Sequence, residues 1–373
     1  MTASVPVTER SARRFAGVRK ALDANFADGL ELGARFVAYA HGEKIVDVFG
    51  GWSDKARERP WDEATLAGIY SSGKAVCALL VARAVAEGQL DYEAPVAEVW
   101  PEFAAGGKGA VVLAEAMSHQ AGLAGFTEEM PPEDWLDWDA ICGRLAAMAP
   151  MWPPRSASGY HPQTYGFIVG EAHRRATGRT IGETLRKDYF EAAGVEVHCG
   201  IGEGVAARAA YMPKPPRAPD LGAMNEHKRA AFLKPWSSPA RVSREAWMAA
   251  ELPASNMHAT ADALAAILQP LASDEVEGAL PPEIVEAALR IRIEGRDLVL
   301  PFDLQWAAGL MRNNQGHFGP SETAYGHAGF GGSCVVIDPA RGLTAAYVMN
   351  KMSEHLVGDP RAVRLLDALY EGL

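Results

Sequence analysis

The longest apolar stretch of the chain starts near Ile69 and predicts a buried helix. Between residues 72 and 81 the only charged residue is Lys74, and the next charge is Arg83. A helix that is apolar on nearly all sides is covered by other parts of the protein. Gly88 predicts where this helix ends. We therefore expect the other elements to be arranged around it.

Strand patterns lie near both ends of the chain, and helical patterns lie between them. Residues 36–40 and 44–51 flank His41-Gly42 and predict a hairpin, and residues 333–338 and 343–349 predict a second one. This arrangement predicts an α+β fold with one antiparallel sheet built from both chain ends. Short strands are also predicted at 298–300 and 305–311, and residues 211–219 predict an extended Pro-rich loop. Further helices are predicted at 8–26, 111–117, 138–148, 167–175, 261–268, 283–290 and 360–371.

The composition shifts towards Ala, Glu, Trp and Pro between residues 91 and 154, which predicts a smaller and mostly helical part. We expect residues 1–79 and 156–373 to form an α/β sandwich domain and residues 80–155 to form a small helical domain. Trp135 and Trp152 fall in loops of this smaller part. They are either ordinary core residues or walls of an apolar acyl pocket.

Charge and cysteine content exclude several classes of protein. A net charge of −11 over 373 residues argues against a nucleic acid or an anionic membrane as partner. The four cysteines are far apart and form no Cys-x-x-Cys pair, so we expect no metal, and no cofactor is indicated. The charged amino terminus has no apolar signal core, and no later run reaches transmembrane length. We expect a cytoplasmic protein.

The start of the apolar helix carries candidate chemistry. Ser71 and Lys74 are three residues apart and therefore lie on one helix face. Burial and the helix dipole both favour a neutral lysine, which could accept the serine proton. Alternatively, the serine caps the helix and the lysine extends past it towards water. The spacing alone leaves both possibilities open.

Two further features accompany this pair in a fixed order. Tyr160 follows a stretch rich in Pro and Gly, and Tyr325-Gly-His-Ala-Gly-Phe-Gly-Gly-Ser333 precedes a predicted strand. Together with Ser71-x-x-Lys74, this order resembles the serine β-lactamase and penicillin-binding-protein superfamily, and most closely the family VIII carboxylesterases related to class C β-lactamases. The resemblance covers residues 36–350. It is supported by Gly88-Gln-Leu-Asp-x-x-Ala-Pro-Val, Trp100-Pro-Glu-Phe and Ser118-His-Gln-Ala-Gly-Leu.

The resemblance implies a β-lactamase-like fold and a role for each matching residue. Ser71 corresponds to the nucleophile that accepts the acyl group. Lys74 and Tyr160 correspond to the groups that move its proton, and which of the two is the formal base stays open. The backbone N–H groups of Ser71 and Phe330 correspond to the oxyanion hole.

Two departures from the β-lactamase pattern bear on the substrate. The usual Tyr-x-Asn is here Tyr160-His161-Pro162, which lacks the amide that holds a β-lactam side chain and supports the lysine. The usual Lys-Thr-Gly is here His327-Ala328-Gly329, which replaces a fixed cation by a titratable ring. We expect His327 and Gly329 to contact substrate. The remaining histidines near these motifs, His119, His161 and His317, are expected to be structural.

These features favour a serine carboxylesterase that acts on small, uncharged, short-chain esters. An amidase, or a weak β-lactamase or D,D-peptidase-like activity at the same site, is the second possibility, and a non-catalytic binding protein with a β-lactamase fold and a relic site is the third. The Gly-x-Ser-x-Gly motif of α/β-hydrolase esterases is absent from the sequence. The sequence leaves the physiological substrate and the oligomeric state open.

Overall fold

Helices and strands alternate irregularly along the chain in the computed structural model, which describes residues 5–373. The helices are α1 Ala16–Ala27, α2 Gly73–Ala86, α3 Val96–Val99, α4 Leu113–Met117, α5 Trp138–Ala147, α6 Thr164–Thr177, α7 Ile181–Thr184, α8 Glu203–Ala206, α9 Glu226–Lys228, α10 Arg244–Ala249, α11 Ala261–Ile267, α12 Pro282–Leu289 and α13 Pro360–Glu371. Short 3-10 or π segments are Arg13–Phe15, Tyr70–Ser72, Pro101–Gly107, Pro132–Leu136, Leu185–Glu191, Arg229–Leu233, Gln269–Leu271 and Pro339–Arg341. The strands are β1 Val7–Glu9, β2 Gly33–Ala40, β3 Glu43–Gly51, β4 Ala67–Gly68, β5 Val197–His198, β6 His258–Ala259, β7 Ile293–Arg296, β8 Asp303–Trp306, β9 Met311–Arg312, β10 Tyr325–Ala328, β11 Cys334–Asp338 and β12 Leu343–Met349.

The main sheet joins the two ends of the chain, as predicted. Its nine antiparallel strands follow the order β1-β3-β2-β12-β11-β10-β9-β8-β7. At its centre β12 pairs with β2, so that Ala346 lies opposite Val37. A second sheet has three short strands in the order β4-β6-β5. The prediction of an α+β fold with one antiparallel sheet built from both chain ends is confirmed.

Side chains alternate between the two faces of the main sheet. Val37 belongs to the core that surrounds α2 and α11, whereas its neighbours Phe36 and Ala38 belong to the core beneath α1 and α13. This alternation is the two-residue period of a strand that is covered on both faces. Eleven of the 14 residues of α2 are buried, so the apolar helix lies inside the fold as predicted.

Three predicted elements differ from the observed ones. The predicted helix 8–26 starts only at Ala16, because residues 7–9 form β1 and pair with β3. Residues 298–300 form no strand, since the N–H groups of Val299 and Leu300 donate to the Asp297 carboxylate instead of to a neighbouring strand. The predicted strand 305–311 is two short strands, β8 and β9, joined by a turn, and β7 was not predicted.

The predicted domain boundary between residues 79 and 80 falls inside α2. Helix α5, from the predicted helical domain, packs against α6, which in turn packs against α2. The division into two domains therefore stays a prediction. Within residues 5–373, every helix is too short or too polar to cross a membrane.

Candidate active site

The predicted nucleophile lies in the 3-10 turn that leads into α2. Tyr70, directly before it, has a φ of 46°, an unfavourable backbone conformation for a tyrosine. The Ser71 hydroxyl is not a helix cap, because the first turn of α2 has no side-chain cap. Its Oγ instead lies 2.9 Å from Lys74 Nζ and 3.3 Å from the Ala254 carbonyl oxygen. The arrangement matches that of a serine hydroxyl beside a base.

Lys74 is completely buried and contacts three oxygen atoms. Its Nζ lies 2.9 Å from Ser71 Oγ, 2.9 Å from the Pro162 carbonyl oxygen and 3.1 Å from the Ala254 carbonyl oxygen. Among residues 5–373, no carboxylate lies within ion-pair distance of it. Burial lowers the pKa of Lys74 to about 7 because the ammonium has lost its hydration. A neutral Nζ can donate to the two carbonyls and accept the proton of Ser71.

Tyr160 completes the group, with its ring centroid 4.9 Å from Lys74 Nζ. The phenol is 6 % exposed. Burial raises the pKa of Tyr160 above its ordinary value, the nearby Ser71 hydroxyl lowers it in part, and the charge of Asp297 raises it further. The phenol is therefore neutral and can pass a proton between Ser71 and a neighbouring group. A serine and a lysine from one turn and a tyrosine from a distant part of the sequence thus lie together.

Pro162 has a different effect from the one predicted. The sequence suggested that replacing the usual asparagine removes support from the lysine. Instead, the Pro162 carbonyl oxygen accepts a hydrogen bond from Lys74 Nζ at 2.9 Å. The backbone supplies this contact whatever the side chain is. The position therefore loses its side-chain amide but keeps its contact with the lysine.

His327 lies on β10 beside these groups and is 1 % exposed. Its ring centroid is 6.0 Å from that of Tyr160. Its Nδ1 lies 2.9 Å from the Ala328 carbonyl oxygen, which only accepts, so Nδ1 carries the proton. Its buried Nε2 is then an acceptor, and it has no partner among the described residues. Burial and, secondarily, the charge of Lys74 lower the pKa of His327 to about 3. The ring is therefore neutral and does not replace the missing cation.

Gly329 brings the loop after β10 against the nucleophile turn. A Cβ atom here would lie 2.2 Å from the Ile69 carbonyl oxygen and 2.1 Å from Ser333 Oγ, so only glycine fits. The next residue, Phe330, packs edge-on against Tyr70, with 5.8 Å between ring centroids. Gly329 thus has a packing role, and its predicted contact with substrate stays a prediction.

The two predicted oxyanion-hole donors are the N–H groups of Ser71 and Phe330. Within residues 5–373, neither has a hydrogen-bond acceptor in the protein. The neighbouring amides differ, since Ser72 donates to Ile69 and Gly329 donates to Ser333. Two free N–H groups on adjacent turns are what a developing oxyanion requires.

The two predicted tryptophans have different environments. Trp135 is 1 % exposed, donates to the Trp236 carbonyl oxygen and packs against Phe126 and Phe167. These are the contacts of an ordinary core residue. Trp152 donates to the Ala157 carbonyl oxygen and belongs to the same apolar cluster as Tyr160. Of the two, only Trp152 lies in the layer that supports the site.

Three residues around Tyr160 were not predicted as functional. Asp297 accepts a hydrogen bond from the Tyr160 N–H at 2.9 Å, and Trp306 stacks on the Tyr160 ring. His119, which was predicted to be structural, packs edge-on against the same ring. Its motif, Ser118-His-Gln-Ala-Gly-Leu, was one signal that could have marked it. Asp297 follows Gly-Arg in a turn and has no comparable signal.

Metal-binding geometry is absent from the part of the chain that the structure describes. No group of three or more His, Cys, Asp or Glu side chains is placed to hold an ion there. The four cysteines are all buried and unpaired.

Comparisons with known proteins show which family the chain belongs to. The family profile described as Beta-lactamase matches residues 22–369. The chain is 32% identical over 362 residues to "Esterase/beta-lactamase LipL" of Mycobacterium tuberculosis (strain ATCC 25618 / H37Rv), covering 92% of this chain and 83% of that protein.

Two solved structures are also similar. A penicillin-binding-protein homologue from Caulobacter crescentus has a TM-score of 0.95 and 48% identity, covering 99% of this chain and 100% of that one. A family VIII carboxylesterase has a TM-score of 0.91 and 35% identity, with the same two coverages of 99% and 100%. With its Ser-x-x-Lys pair and adjacent tyrosine, the chain belongs to the beta-lactamase family.

Proposed function

We propose that the protein is a serine carboxylesterase that hydrolyses small, uncharged, short-chain esters through an acyl-enzyme on Ser71. The observation that carries the proposal is the set of contacts of Lys74. Its Nζ is buried, is held by two carbonyl oxygens and lies 2.9 Å from Ser71 Oγ. A lysine with a pKa of about 7 is neutral often enough near neutral pH to act as a general base.

Acylation follows from these positions. Ser71 Oγ bonds to the ester carbonyl carbon while its proton moves to Lys74 Nζ. The carbonyl oxygen becomes an oxyanion that accepts from the N–H groups of Ser71 and Phe330. As the carbon–oxygen ester bond breaks, the leaving alkoxide receives that proton from Lys74 Nζ through the Tyr160 hydroxyl and departs as the alcohol. The products of this half-reaction are the acyl ester of Ser71 and the free alcohol.

Deacylation uses the same groups in the reverse direction. A water oxygen bonds to the acyl carbon and loses a proton to the Lys74 and Tyr160 pair. The bond between the acyl carbon and Ser71 Oγ then breaks, and Ser71 regains its proton. The acid product leaves, and the enzyme returns to its starting state without any cofactor.

The absence of a fixed cation supports a preference for uncharged substrates. In this chain His327 is neutral, so it cannot pair with a substrate carboxylate at neutral pH. Its free Nε2 can instead accept a hydrogen bond from a donor on the substrate. Binding a small uncharged ester here costs less desolvation free energy than binding a β-lactam, because the β-lactam carboxylate would be buried without a cation.

Hydrolysis of p-nitrophenyl acetate and butyrate tests the proposal. We expect activity in the natural chain and its loss in Ser71→Ala, together with the addition of one alkyl phosphonate group to the natural chain and none to Ser71→Ala, both detected by intact mass. Equal hydrolysis by both chains would refute the proposal. Comparing the acetate, butyrate and octanoate esters measures the predicted preference for short acyl chains.

A second candidate is turnover of β-lactams at the same serine. It is favoured by the names of two similar proteins, an esterase/beta-lactamase and a penicillin-binding-protein homologue. The neutral His327 opposes it. A chromogenic cephalosporin hydrolysed as fast as the butyrate ester would promote it over the esterase proposal. The predictions of a cytoplasmic location and of no nucleic-acid or membrane partner rest on the sequence.

A further inference from the structure

Tyr160 lies in a segment in which three consecutive N–H groups are bound. The Gly159 N–H donates to the His119 carbonyl oxygen at 3.0 Å, and the His161 N–H donates to His119 Nδ1 at 3.2 Å. Between them, the Tyr160 N–H donates to Asp297 Oδ1 at 2.9 Å. Two residues from distant parts of the sequence therefore hold the backbone on both sides of the phenol and at its own amide.

Asp297 is a buried carboxylate that is held by N–H donors alone. It is 3 % exposed, and among residues 5–373 no cation forms an ion pair with it. Its Oδ1 also accepts from the N–H groups of Val299 and Leu300 at 2.9 Å, and its Oδ2 accepts from Trp306 Nε1 at 3.3 Å. A buried charge is costly unless it is fully hydrogen-bonded. Two of its four bonds close its own turn, and the other two go to Tyr160 and Trp306.

The rings around Tyr160 complete the arrangement. The Trp306 indole stacks on the phenol at an interplanar angle of 10°, with 6.0 Å between centroids. The His119 ring lies 4.9 Å from the Tyr160 ring and 4.4 Å from the Trp306 ring. His119 is fully buried and has a φ of 63°. Asp297 thus holds both the backbone of Tyr160 and the indole that limits rotation of its ring.

We propose that Asp297 and His119 are positioning residues that hold the Tyr160 hydroxyl towards Ser71 and Lys74. The inference rests on the proposed function and adds two residues to it. Neither residue touches the reacting atoms, so each acts through Tyr160. Loss of either one lets the phenol move away from the proton path, which lowers kcat and leaves KM nearly unchanged. A displacement of about 1 Å at such a group costs about 10²-fold in rate.

His119 offers a matched pair of substitutions. In His119→Asn the amide oxygen takes nearly the place of Nδ1, and asparagine tolerates the positive φ at this position. In His119→Leu the acceptor for the His161 N–H is lost, and leucine is also strained at the φ of 63°, a cost that the thermal unfolding measurement below reports separately. We expect His119→Leu to lower kcat about 10²-fold and His119→Asn to restore most of the loss. Equal losses in the two variants would contradict the role of Nδ1.

A double-mutant cycle with Tyr160→Phe separates positioning from general damage to the fold. Once the hydroxyl is gone there is nothing to position, so His119→Leu should change the residual kcat by no more than about twofold in that background. If His119→Leu lowers kcat by the same factor with and without the Tyr160 hydroxyl, the two effects are independent and the proposal is wrong. If His119→Leu does not fold, Asp297→Asn serves instead. It keeps the Oδ1 acceptor but places an amide N–H against the Trp306 N–H, and its kcat loss should also disappear with Tyr160→Phe.

Failure of this inference is distinguishable from failure of the proposed function. Activity that survives Ser71→Ala refutes the esterase itself. Multiplicative losses in the cycle, in an enzyme that Ser71→Ala inactivates, refute only the positioning role. Thermal unfolding of each variant, measured alongside, identifies any variant that has lost the fold.

Discussion

Lys74 and Lys108 are both fully buried lysines, yet they have different neighbours. Neither forms an ion pair with a carboxylate within residues 5–373. Burial lowers the pKa of both. Lys108 donates to three carbonyl oxygens, whereas Lys74 contacts two carbonyls and one hydroxyl. The Lys108 partners are Ala105, Ala146 and Met148, and the Lys74 partners are Pro162, Ala254 and Ser71.

The third partner decides what each lysine can do. Three carbonyls require three N–H donors, so the contacts of Lys108 are complete only when it is charged. Replacing one carbonyl by a hydroxyl gives a neutral amine a proton to accept. Burial alone therefore does not make a lysine a base. A buried lysine becomes one when a hydroxyl takes the place of one carbonyl.

The largest effect is expected from Lys74→Met, which removes the proposed base and keeps an unbranched apolar side chain. We expect kcat for p-nitrophenyl butyrate to fall by about 10²–10⁴-fold, the usual contribution of a general base. Steady-state kinetics on the folded variant measure the loss. A decrease of less than about tenfold would mean that another group takes the proton of Ser71.

Arg35 extends the comparison to a buried cation that does have a carboxylate. It donates to both oxygens of Asp47, at 2.9 and 2.8 Å, and both residues are almost fully buried. Arg35→Met leaves Asp47 with Lys44 as its one remaining cation among residues 5–373, at 3.7 Å and outside hydrogen-bond distance. We expect a loss of about 3–5 kcal/mol in the free energy of unfolding, measured by urea denaturation. A loss below about 1 kcal/mol would show that this pair behaves like an exposed one.

The buried histidines predict a loss of stability in acid. Burial lowers the pKa of His161 and of His327 to about 3, and that of His258 to about 4. Between these values and about 6.5 the unfolded chain binds protons that the folded chain does not, so stability rises with pH in this window and is complete above it. At pH 5 each such histidine costs about 2 kcal/mol relative to pH 7.5.

Urea denaturation at pH 7.5 and pH 5 measures this effect, and His327→Gln is the matched variant. Removing one buried histidine should make the loss between the two pH values smaller by about 2 kcal/mol. An unchanged pH dependence in the variant would mean that His327 already carries a proton in the folded protein.

Lys108→Met is the control for Lys74→Met and should have the smallest effect. It leaves three buried carbonyls without a donor, so we expect a loss of about 1–3 kcal/mol in the free energy of unfolding. The kcat of the folded enzyme should stay unchanged, because none of the partners of Lys108 belongs to the site. A large fall in the kcat of Lys108→Met would mean that the two lysines do not differ in the way that their partners suggest.

The sequence predicted which candidate groups lie together better than it predicted their surroundings. Ser71, Lys74 and Tyr160 stand in recognisable motifs, and the apolar run around Lys74 indicated its burial. The contact between Lys74 and the Pro162 carbonyl could not be predicted, since a backbone oxygen leaves no mark in the sequence. Asp297 was missed for a related reason. Its partners are the N–H groups of its own turn, of Tyr160 and of the Trp306 indole, and the pattern of residues 298–300 directly after it predicts a strand instead of a turn.

The pH dependence of acylation tests most directly whether Lys74 accepts the proton of Ser71. Enzyme kept at pH 8 is mixed with p-nitrophenyl butyrate in buffers from pH 5 to 10. The rate at which the first equivalent of p-nitrophenol is released is measured at each pH. The rate should rise about tenfold per pH unit in acid and level off with an apparent pKa of about 7, the value for Lys74. A rate independent of pH down to 5, or one that rises only near the ordinary lysine value of about 10.4, would contradict a neutral lysine as the base.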